Sequence, residues 1–323
     1  MKGIYITSVA LIFTCMVLFP LLSMRKTVLP DTSPPGITQP DEVTDGETLR
    51  VLMTDEDKVV TMSVKDYVIG VVAAEMPAEY EPEALKAQAV VAYTYAMYKS
   101  AIRIDKDYDV TDSFESDQAF LSDTEAKERF GSSYNAYMDK ISEAVNAVEG
   151  QVILYDGKPI LAACHSISGG KTESAETLWG GSYPYLQPVE SVGDVLCPEY
   201  LSELKISEQD MKSALSKLNI TAENSAENWF GDITRSESGY ILTVNICGTE
   251  VKGSQLRNSL GLRSTNFDVA FDNGNFTFSV RGYGHGVGMS QYGAQFMALQ
   301  GSTYTDILMW YYTDCTIGTY SIT

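Results

Sequence analysis

After residue 46, some stretches of the chain have the apolar pattern of β-strands and others have that of α-helices. Residues 49–62 carry two apolar runs around an acidic turn, which predicts an opening β-hairpin. Ser63 begins a helix-capping pattern, and Val64 to Ala74 predicts a short apolar helix. Pro77 ends that helix because the residue before a proline is disfavoured in the α conformation. Glu83 to Ser100, with no glycine or proline, predicts a long helix buried on most sides.

The rest of the chain mixes helices and hairpins without a repeating strand–helix–strand order. This pattern predicts an α+β fold, with mixed helices and β-hairpins around one core. A lobe inserted at about 195–264 is expected between two stretches that carry motifs. The remaining predicted elements are a loop over Asp105–Asp123, a helix over Ser132–Val148, a hairpin of Gln151–Tyr155 with Pro159–Ala163, a helix over Leu201–Leu218, strands at 240–246 and 250–251, a strand over Phe276–Val280 and a helix from about Ser290.

The N-terminal segment predicts a membrane anchor followed by a tether. Ile4 to Met24 is uncharged and, at about 20 residues, long enough to cross a bilayer as an N-terminal transmembrane helix. A cleaved signal peptide is the alternative, although the apolar run is long and no A-x-A-like site follows it. Residues 27–46 are proline-rich and predict a linker. The predicted domains are therefore an anchor at 1–26, a linker at 27–46 and a domain at 47–323 outside the cytoplasm.

Composition excludes several classes of protein. The chain has 323 residues and a formal net charge of −20, so a general nucleic-acid binder is not expected. Its two histidines, His165 and His285, exclude a three-histidine zinc site and an H-E-x-x-H helix. No C-x-x-C pair is present, but Cys164, His165 and Cys197 leave a metal site open. The cysteines outside the apolar segment allow disulfides in three connectivities or none: Cys164, Cys197, Cys247 and Cys315.

Glu75 is the first candidate for chemistry. It is the only charged residue between Asp66 and Glu79, and it lies where the first helix is predicted to end. Desolvation and the negative end of the helix dipole both raise the pKa of such a carboxyl, which suits a general acid near neutral pH. The alternative is an ordinary solvated glutamate.

Two glycine-containing stretches are the other candidates. Cys164–Gly170 ends a strand in a histidine, two hydroxyls and a glycine pair, and Trp179 follows as a residue suited to stacking on a sugar ring. A polar turn with a core tryptophan is the alternative. Gly282–Ala294 alternates glycine with Tyr283 and His285. Its spacing matches neither a dinucleotide-binding fingerprint nor a nucleophile elbow, so contact with another ligand is expected.

Residues 63–98, 163–187 and 281–297 together resemble the stage II sporulation protein D family, which includes the amidase enhancers. The resemblance implies a single-pass membrane protein whose outer domain is a lytic transglycosylase of bacterial cell wall. It implies action during engulfment, beside a wall amidase that strips peptide stems first. Glu75 matches the family's catalytic glutamate. With Trp179 added, the residues expected to contact substrate are His165, Ser166, Ser168, Gly169, Gly170, Trp179, Tyr283, Gly284, His285, Gly286, Ser290 and Gln291.

The sequence departs from the family pattern at two points. Tyr93 stands where the family carries an arginine, and no neighbour in the sequence replaces that charge. Some relatives bind zinc near the second stretch, but with only Cys164, His165 and Cys197 available here we expect no metal and no other cofactor.

The expected mechanism uses one carboxyl group, since a lytic transglycosylase closes a 1,6-anhydro ring with the sugar's own hydroxyl. Glu176 is the rival carboxylate, and paired with Glu75 it would indicate hydrolysis instead. Two further hypotheses remain: a non-catalytic glycan-binding protein that stimulates a partner amidase, and a structural protein of the spore envelope. The expected partners are peptidoglycan strands, a sporulation cell-wall amidase and other engulfment membrane proteins. The expected location is the space between the mother-cell and forespore membranes.

Overall fold

The computed structural model describes residues 47–223 and 225–320. The predicted anchor at Ile4–Met24 and the linker at 27–46 lie outside the described residues. Within the described ranges, no helix is both long and apolar enough to cross a membrane.

The fold begins with the predicted hairpin and helix. Strands β1 (Thr48–Met53) and β2 (Lys58–Ser63) pair antiparallel, and α1 (Val64–Glu75) follows at once. The Ser63 side chain accepts a hydrogen bond from the Asp66 amide and so caps the first turn. These predictions are confirmed.

Helix α2 (Pro82–Ile102) runs through the larger of two hydrophobic clusters. Proline stands at its first position, where the missing N–H costs no hydrogen bond. Its alanine and valine residues are buried on almost every side because α1, α4, α8, α9 and β4 all pack against it. The bounds of those not yet given are α4 (Tyr134–Ala147), β4 (Gln151–Tyr155), α8 (Gln291–Leu299) and α9 (Tyr304–Tyr311).

Within the described ranges, three small sheets adjoin this helical core, and their strands join distant parts of the chain. β3 (Val110–Thr111) pairs parallel to β1, which places a strand inside the predicted loop Asp105–Asp123. β6 (Cys164–His165) pairs parallel to β13 (Met289–Ser290). The hairpin after β4 has a short second strand, so the predicted Pro159–Ala163 is only partly extended. The elements that complete this part are α3 (Asp123–Phe130), β5 (Lys158–Pro159), α5 (Ala175–Trp179) and β14 (Thr316–Thr319), which pairs with β4.

A second hydrophobic cluster lies between Met211 and Val280 and includes a fully buried Trp229. This cluster extends past 264, where the sequence pattern ends the predicted lobe. The elements that form it are β7 (Leu201–Ser207), α6 (Glu208–Lys217), β8 (Phe230–Arg235), β9 (Ile241–Ile246), β10 (Thr249–Lys252), α7 (Gly253–Leu260), β11 (Phe267–Asp272) and β12 (Asn275–Arg281).

The predicted helix over Leu201–Leu218 is wrong in its first third. Residues 201–207 form β7, which pairs antiparallel with β12, and the helix begins only at Glu208. Leu204 and Ile206 pack on the second cluster, so the segment has the two-residue period of a strand. Ser207 then caps the helix by accepting from the Asp210 amide. The mixed helix and sheet architecture as a whole is confirmed.

Candidate active site

The Glu75 carboxyl is half-buried and held by two hydrogen-bond donors. Met76 is extended before Pro77, so α1 ends with Glu75 as its last residue. Glu75 Oε1 accepts from the Ala119 amide at 2.9 Å, and Oε2 accepts from Gln291 Nε2 at 3.2 Å. Burial is the largest influence and raises the pKa of Glu75, while both bonds and the charge of Arg129 lower it. The net shift is upward, towards neutral pH.

Pairing of β6 with β13 brings the second and third motif stretches together at this carboxyl. Met289 lies beside Cys164 and Ser290 beside His165 in a parallel register. The Ser290 hydroxyl accepts from the Gly293 amide and caps α8, which starts at Gln291. The Gln291 side chain therefore reaches Glu75 from the first turn of a capped helix.

Asp194 links the second and third motif stretches through hydrogen bonds to both. Asp194 is fully buried, and its carboxylate accepts hydrogen bonds from the Ser168 amide at 2.9 Å and from the Ser290 hydroxyl at 2.8 Å. Ser168 is itself fully buried, and its hydroxyl accepts from the Gly170 amide. Ser168 thus shapes the loop, whereas Ser166 is only half-buried.

The two histidines lie together, with ring centroids 5.6 Å apart. His165 Nδ1 lies 3.0 Å from the Val287 carbonyl oxygen and must carry the proton that makes this bond. His285 Nδ1 accepts from the Val287 amide at 3.0 Å, so its other ring nitrogen carries the proton. Burial lowers the pKa of His165 to about 3 and that of His285 to about 4, with smaller contributions from His285 and Arg257 respectively. Both rings are neutral at neutral pH.

The alternating glycines of the third stretch allow a close fit against neighbouring backbone and rings. Gly284 has φ +115°, and a Cβ there would lie 2.7 Å from the Cβ of His165. A Cβ on Gly286 would lie 2.4 Å from the Tyr240 ring, and one on Gly169 would lie 2.4 Å from the Asn266 side-chain amide. Glycine is therefore needed for packing at these positions, whether or not a ligand also approaches them.

Two aromatic side chains near the histidines are open to solvent. Trp179 is 45% exposed, and its ring lies edge-on to His285 with centroids 5.1 Å apart. Tyr283 is also 45% exposed, and the Arg263 guanidinium carbon lies 4.4 Å from its ring centroid. Exposed aromatic faces of this kind can stack on the apolar face of a sugar ring.

The Cys164 thiol lies between two glutamines beside Glu75. Its Sγ accepts from Gln88 Nε2 at 3.6 Å and from Gln291 Nε2 at 4.0 Å. Burial, with a smaller effect of Glu75, raises the pKa of Cys164 to about 12, so the thiol stays protonated. All four cysteines of the described ranges are free thiols, and there no cluster of three or more His, Cys, Asp or Glu side chains could hold a metal ion. The metal-free site stays a prediction.

Comparison with known proteins identifies the family. A family model described as "SpoIID: Stage II sporulation protein" matches residues 53–155. The chain is 38% identical to stage II sporulation protein D of Bacillus amyloliquefaciens and 38% identical to that of Bacillus subtilis; each alignment covers 81% of this chain and 76% of the relative. The chain belongs to the stage II sporulation protein D family. It is also 30% identical to an "Amidase enhancer" of Bacillus subtilis, over 78% of this chain and 40% of that protein.

The Tyr93 side chain, at the position of the family's arginine, contacts Glu47 rather than Glu75. The Tyr93 hydroxyl donates to Glu47 near the start of the described chain, 3.2 Å away. A positive charge near Glu75 comes instead from Arg129 on α3, which donates to the Ala74 carbonyl at 2.9 Å and lowers the pKa of Glu75. Arg129 is not a sequence neighbour of Tyr93, so the expectation that no neighbour replaces the family's arginine stays a prediction.

The structure brings Glu75 together with Gln291, and it separately groups His165, His285 and Trp179. Among the described residues, no hydrogen bond joins Glu75 to a second carboxylate. Glu176, the rival carboxylate, is exposed on α5. Sequence reasoning missed the Ala119 amide, Arg129, Asp194 and Gln88. Only Gln88 left a signal, as a polar residue on an otherwise apolar face of α2.

Proposed function

We propose that this protein is a membrane-anchored peptidoglycan lytic transglycosylase. It cleaves the bond between N-acetylmuramic acid and N-acetylglucosamine in glycan strands that have lost their peptide stems, during engulfment in sporulation. The observation that carries this proposal is the carboxyl of Glu75, whose pKa is raised by burial and which is fixed by the Ala119 amide and Gln291. Membership of a sporulation family supports the setting.

In the first step Glu75 acts as the general acid. Its proton passes to the oxygen that bridges the two sugars, and the bond from that oxygen to C1 of N-acetylmuramic acid breaks. Its raised pKa leaves a larger fraction of Glu75 protonated at a given pH than in an ordinary glutamate, which favours proton transfer to the substrate.

In the second step the same carboxylate acts as the base. It takes the proton of the C6 hydroxyl, whose oxygen bonds to C1 and closes the 1,6-anhydro ring. The donors from Ala119 and Gln291 stabilise the carboxylate formed between the two steps. Glu75 ends protonated again, and no water is consumed.

Substrate binding in this proposal uses the groups exposed near the histidines. Trp179 and Tyr283 stack on sugar rings, and the uncharged His285 and His165, with Ser166, offer hydrogen bonds along the glycan. Among the described residues, His165 Nε2 is buried and has no hydrogen-bond partner, and it is an acceptor in this tautomer.

The test is the isosteric change Glu75→Gln. Loss of general acid help is expected to slow release of anhydro-muropeptides from stem-free glycan by about 10²–10⁴-fold, with the melting temperature nearly unchanged. Glu79→Gln is the matched control, because Glu79 lies four residues further along the chain but is exposed and accepts a hydrogen bond from Tyr137, which lowers its pKa. Full activity of Glu75→Gln would remove the assignment.

A second candidate function is stimulation of a partner amidase without glycan cleavage. The observation that favours it is the likeness to a relative named for amidase enhancement. The two functions predict different products, because only catalysis leaves anhydro ends on glycan strands. Under either function, we propose a sporulation cell-wall amidase and other engulfment membrane proteins as partners, and a domain that lies between the mother-cell and forespore membranes.

A further inference from the structure

A segment that we call the strap, residues 112–121, packs against α1 through two backbone amides and the Phe120 ring. The Ala119 amide donates to Glu75 Oε1 at 2.9 Å, and the Leu121 amide donates to the Gly70 carbonyl at 3.1 Å. Phe120 stacks on Tyr67 with centroids 5.7 Å apart. A Cβ at Gly70 would lie 2.3 Å from the Phe120 ring, so the strap's downstream end sits directly on the helix.

The upstream end of the strap is tied to α2 by Asp117. The Asp117 side chain is completely buried and forms ion pairs with Arg103 at 2.6 Å and with Lys99 at 2.8 Å. It also accepts from the Tyr95 hydroxyl at 3.1 Å and from the Thr111 amide at 2.8 Å. Burial opposes its charge, but these cations and donors together lower the pKa of Asp117, so it is ionised at neutral pH.

We propose that Asp117 is a positioning residue, which anchors the strap to α2 and thereby holds the Ala119 amide on the carboxyl of Glu75. The inference rests on the proposed function, since it assigns a role in setting the acid of that site. One residue, Gln118, separates Asp117 from Ala119 along the chain, so freedom gained at the anchor passes directly to the amide. The downstream contacts at Gly70 and Tyr67 fix the strap only after Ala119.

Loss of the hydrogen bond from the Ala119 amide shifts the pKa of Glu75 in a defined direction. The Ala119 bond lowers the pKa of Glu75, and without it burial is less opposed, so Glu75 keeps its proton to higher pH. Activity that needs protonated Glu75 falls as pH rises through this pKa, so the basic limb of the pH–rate profile moves up. The other charged or titratable groups facing Glu75 are unchanged in this comparison: Arg129 from α3, Cys164 from β6 and Tyr67 from α1.

The experiment measures kcat/KM against pH on stem-free glycan for the full chain and its variants Asp117→Asn and Ala119→Pro. Proline removes the N–H donor itself. Both variants are expected to move the basic limb up by about one pH unit and to lower kcat about tenfold. The free energy of a hydrogen bond to a charged group corresponds to about one pKa unit, or to about a tenfold change in rate. The double variant should show one shift rather than two, because both changes remove the same contact.

Asp109→Asn is the matched control. Asp109 is also a buried, ion-paired aspartate, but its carboxylate binds Arg50 on β1 rather than the strap. It should lower the melting temperature without moving the pH profile. Should Asp117→Asn fail to fold, Arg103→Gln removes one anchoring cation while Lys99 and Tyr95 remain.

Two failures are distinguishable. A wild-type pH profile in folded Asp117→Asn or Arg103→Gln, beside a shifted profile in Ala119→Pro, would overturn the positioning role and leave the proposed function standing. Absence of anhydro products from the wild-type protein itself would overturn the proposed function.

Discussion

Replacement of His165 by asparagine is expected to make the folded protein less sensitive to mild acid. His165 is 4% exposed, and burial lowers its pKa to about 3. Its ordinary pKa in an unfolded chain is about 6.5. Between these values the unfolded chain binds a proton that the folded protein does not. The stabilisation is therefore complete above about pH 6.5 and is lost progressively as the pH falls towards 3.

The magnitude follows from the size of the shift. One pKa unit corresponds to about 1.4 kcal/mol, so lowering the pH from 7 to 5 removes about 2 kcal/mol of the free energy of unfolding through His165 alone. Asparagine does not titrate in this range, and its side-chain amide can still donate to the Val287 carbonyl that His165 Nδ1 contacts.

Urea unfolding at pH 7 and pH 5 measures the difference. The wild-type protein should lose about 2 kcal/mol more than His165→Asn between the two conditions. Ser166→Ala, the next residue along the chain, is a non-titrating control and should keep the wild-type loss. Equal acid losses in the wild type and in His165→Asn would refute the assignment of a neutral, buried ring.

Three further predictions concern the site and its support. Arg129→Gln should raise the pKa of Glu75 and move the basic limb of the pH–rate profile up, whereas Lys127→Gln, on the same helix, should not. Asp194→Ala leaves a buried amide and a buried hydroxyl without an acceptor, and denaturant unfolding should show a loss of about 2–5 kcal/mol. Trp179→Ala should raise KM for glycan about tenfold at unchanged melting temperature, since its ring is 45% exposed.

Local signals in the sequence were enough to predict much of the helical core. Ser63 and Pro77 mark the two ends of α1, and Pro82 marks the start of α2, because caps and prolines act within a few residues. A strong helical pattern follows Leu201–Ser207, so the sequence predicts a helix there as well. Its strand character depends on pairing with β12, about seventy residues later in the chain.

The sequence predicts those candidate-site residues whose side chains stand out by type from their surroundings. Glu75 stands out as a lone charge in an apolar helix, and Gln291 and His285 lie in an unusual glycine pattern. The Ala119 donor is a backbone amide, which no residue type reveals. Asp194 and Arg129 reach the site through tertiary contacts only, so their roles depend on how distant elements pack.

The position of Tyr93 shows the limit of reasoning from neighbours in sequence. Its hydroxyl contacts Glu47, while the charge near Glu75 comes from Arg129, fifty-four residues beyond Glu75. A missing motif residue therefore does not by itself say that the chemistry near Glu75 is impaired.

The most direct test of the central claim is mass spectrometry of stem-free glycan digested by the full chain in water enriched in ¹⁸O. Glu75 acting alone, with the sugar's own C6 hydroxyl as nucleophile, predicts 1,6-anhydro ends that carry no ¹⁸O. Reducing ends labelled with ¹⁸O would show that water attacks and that the one-carboxyl mechanism is wrong. Uncleaved strands from an active preparation that still stimulates an amidase would leave the accessory function in its place.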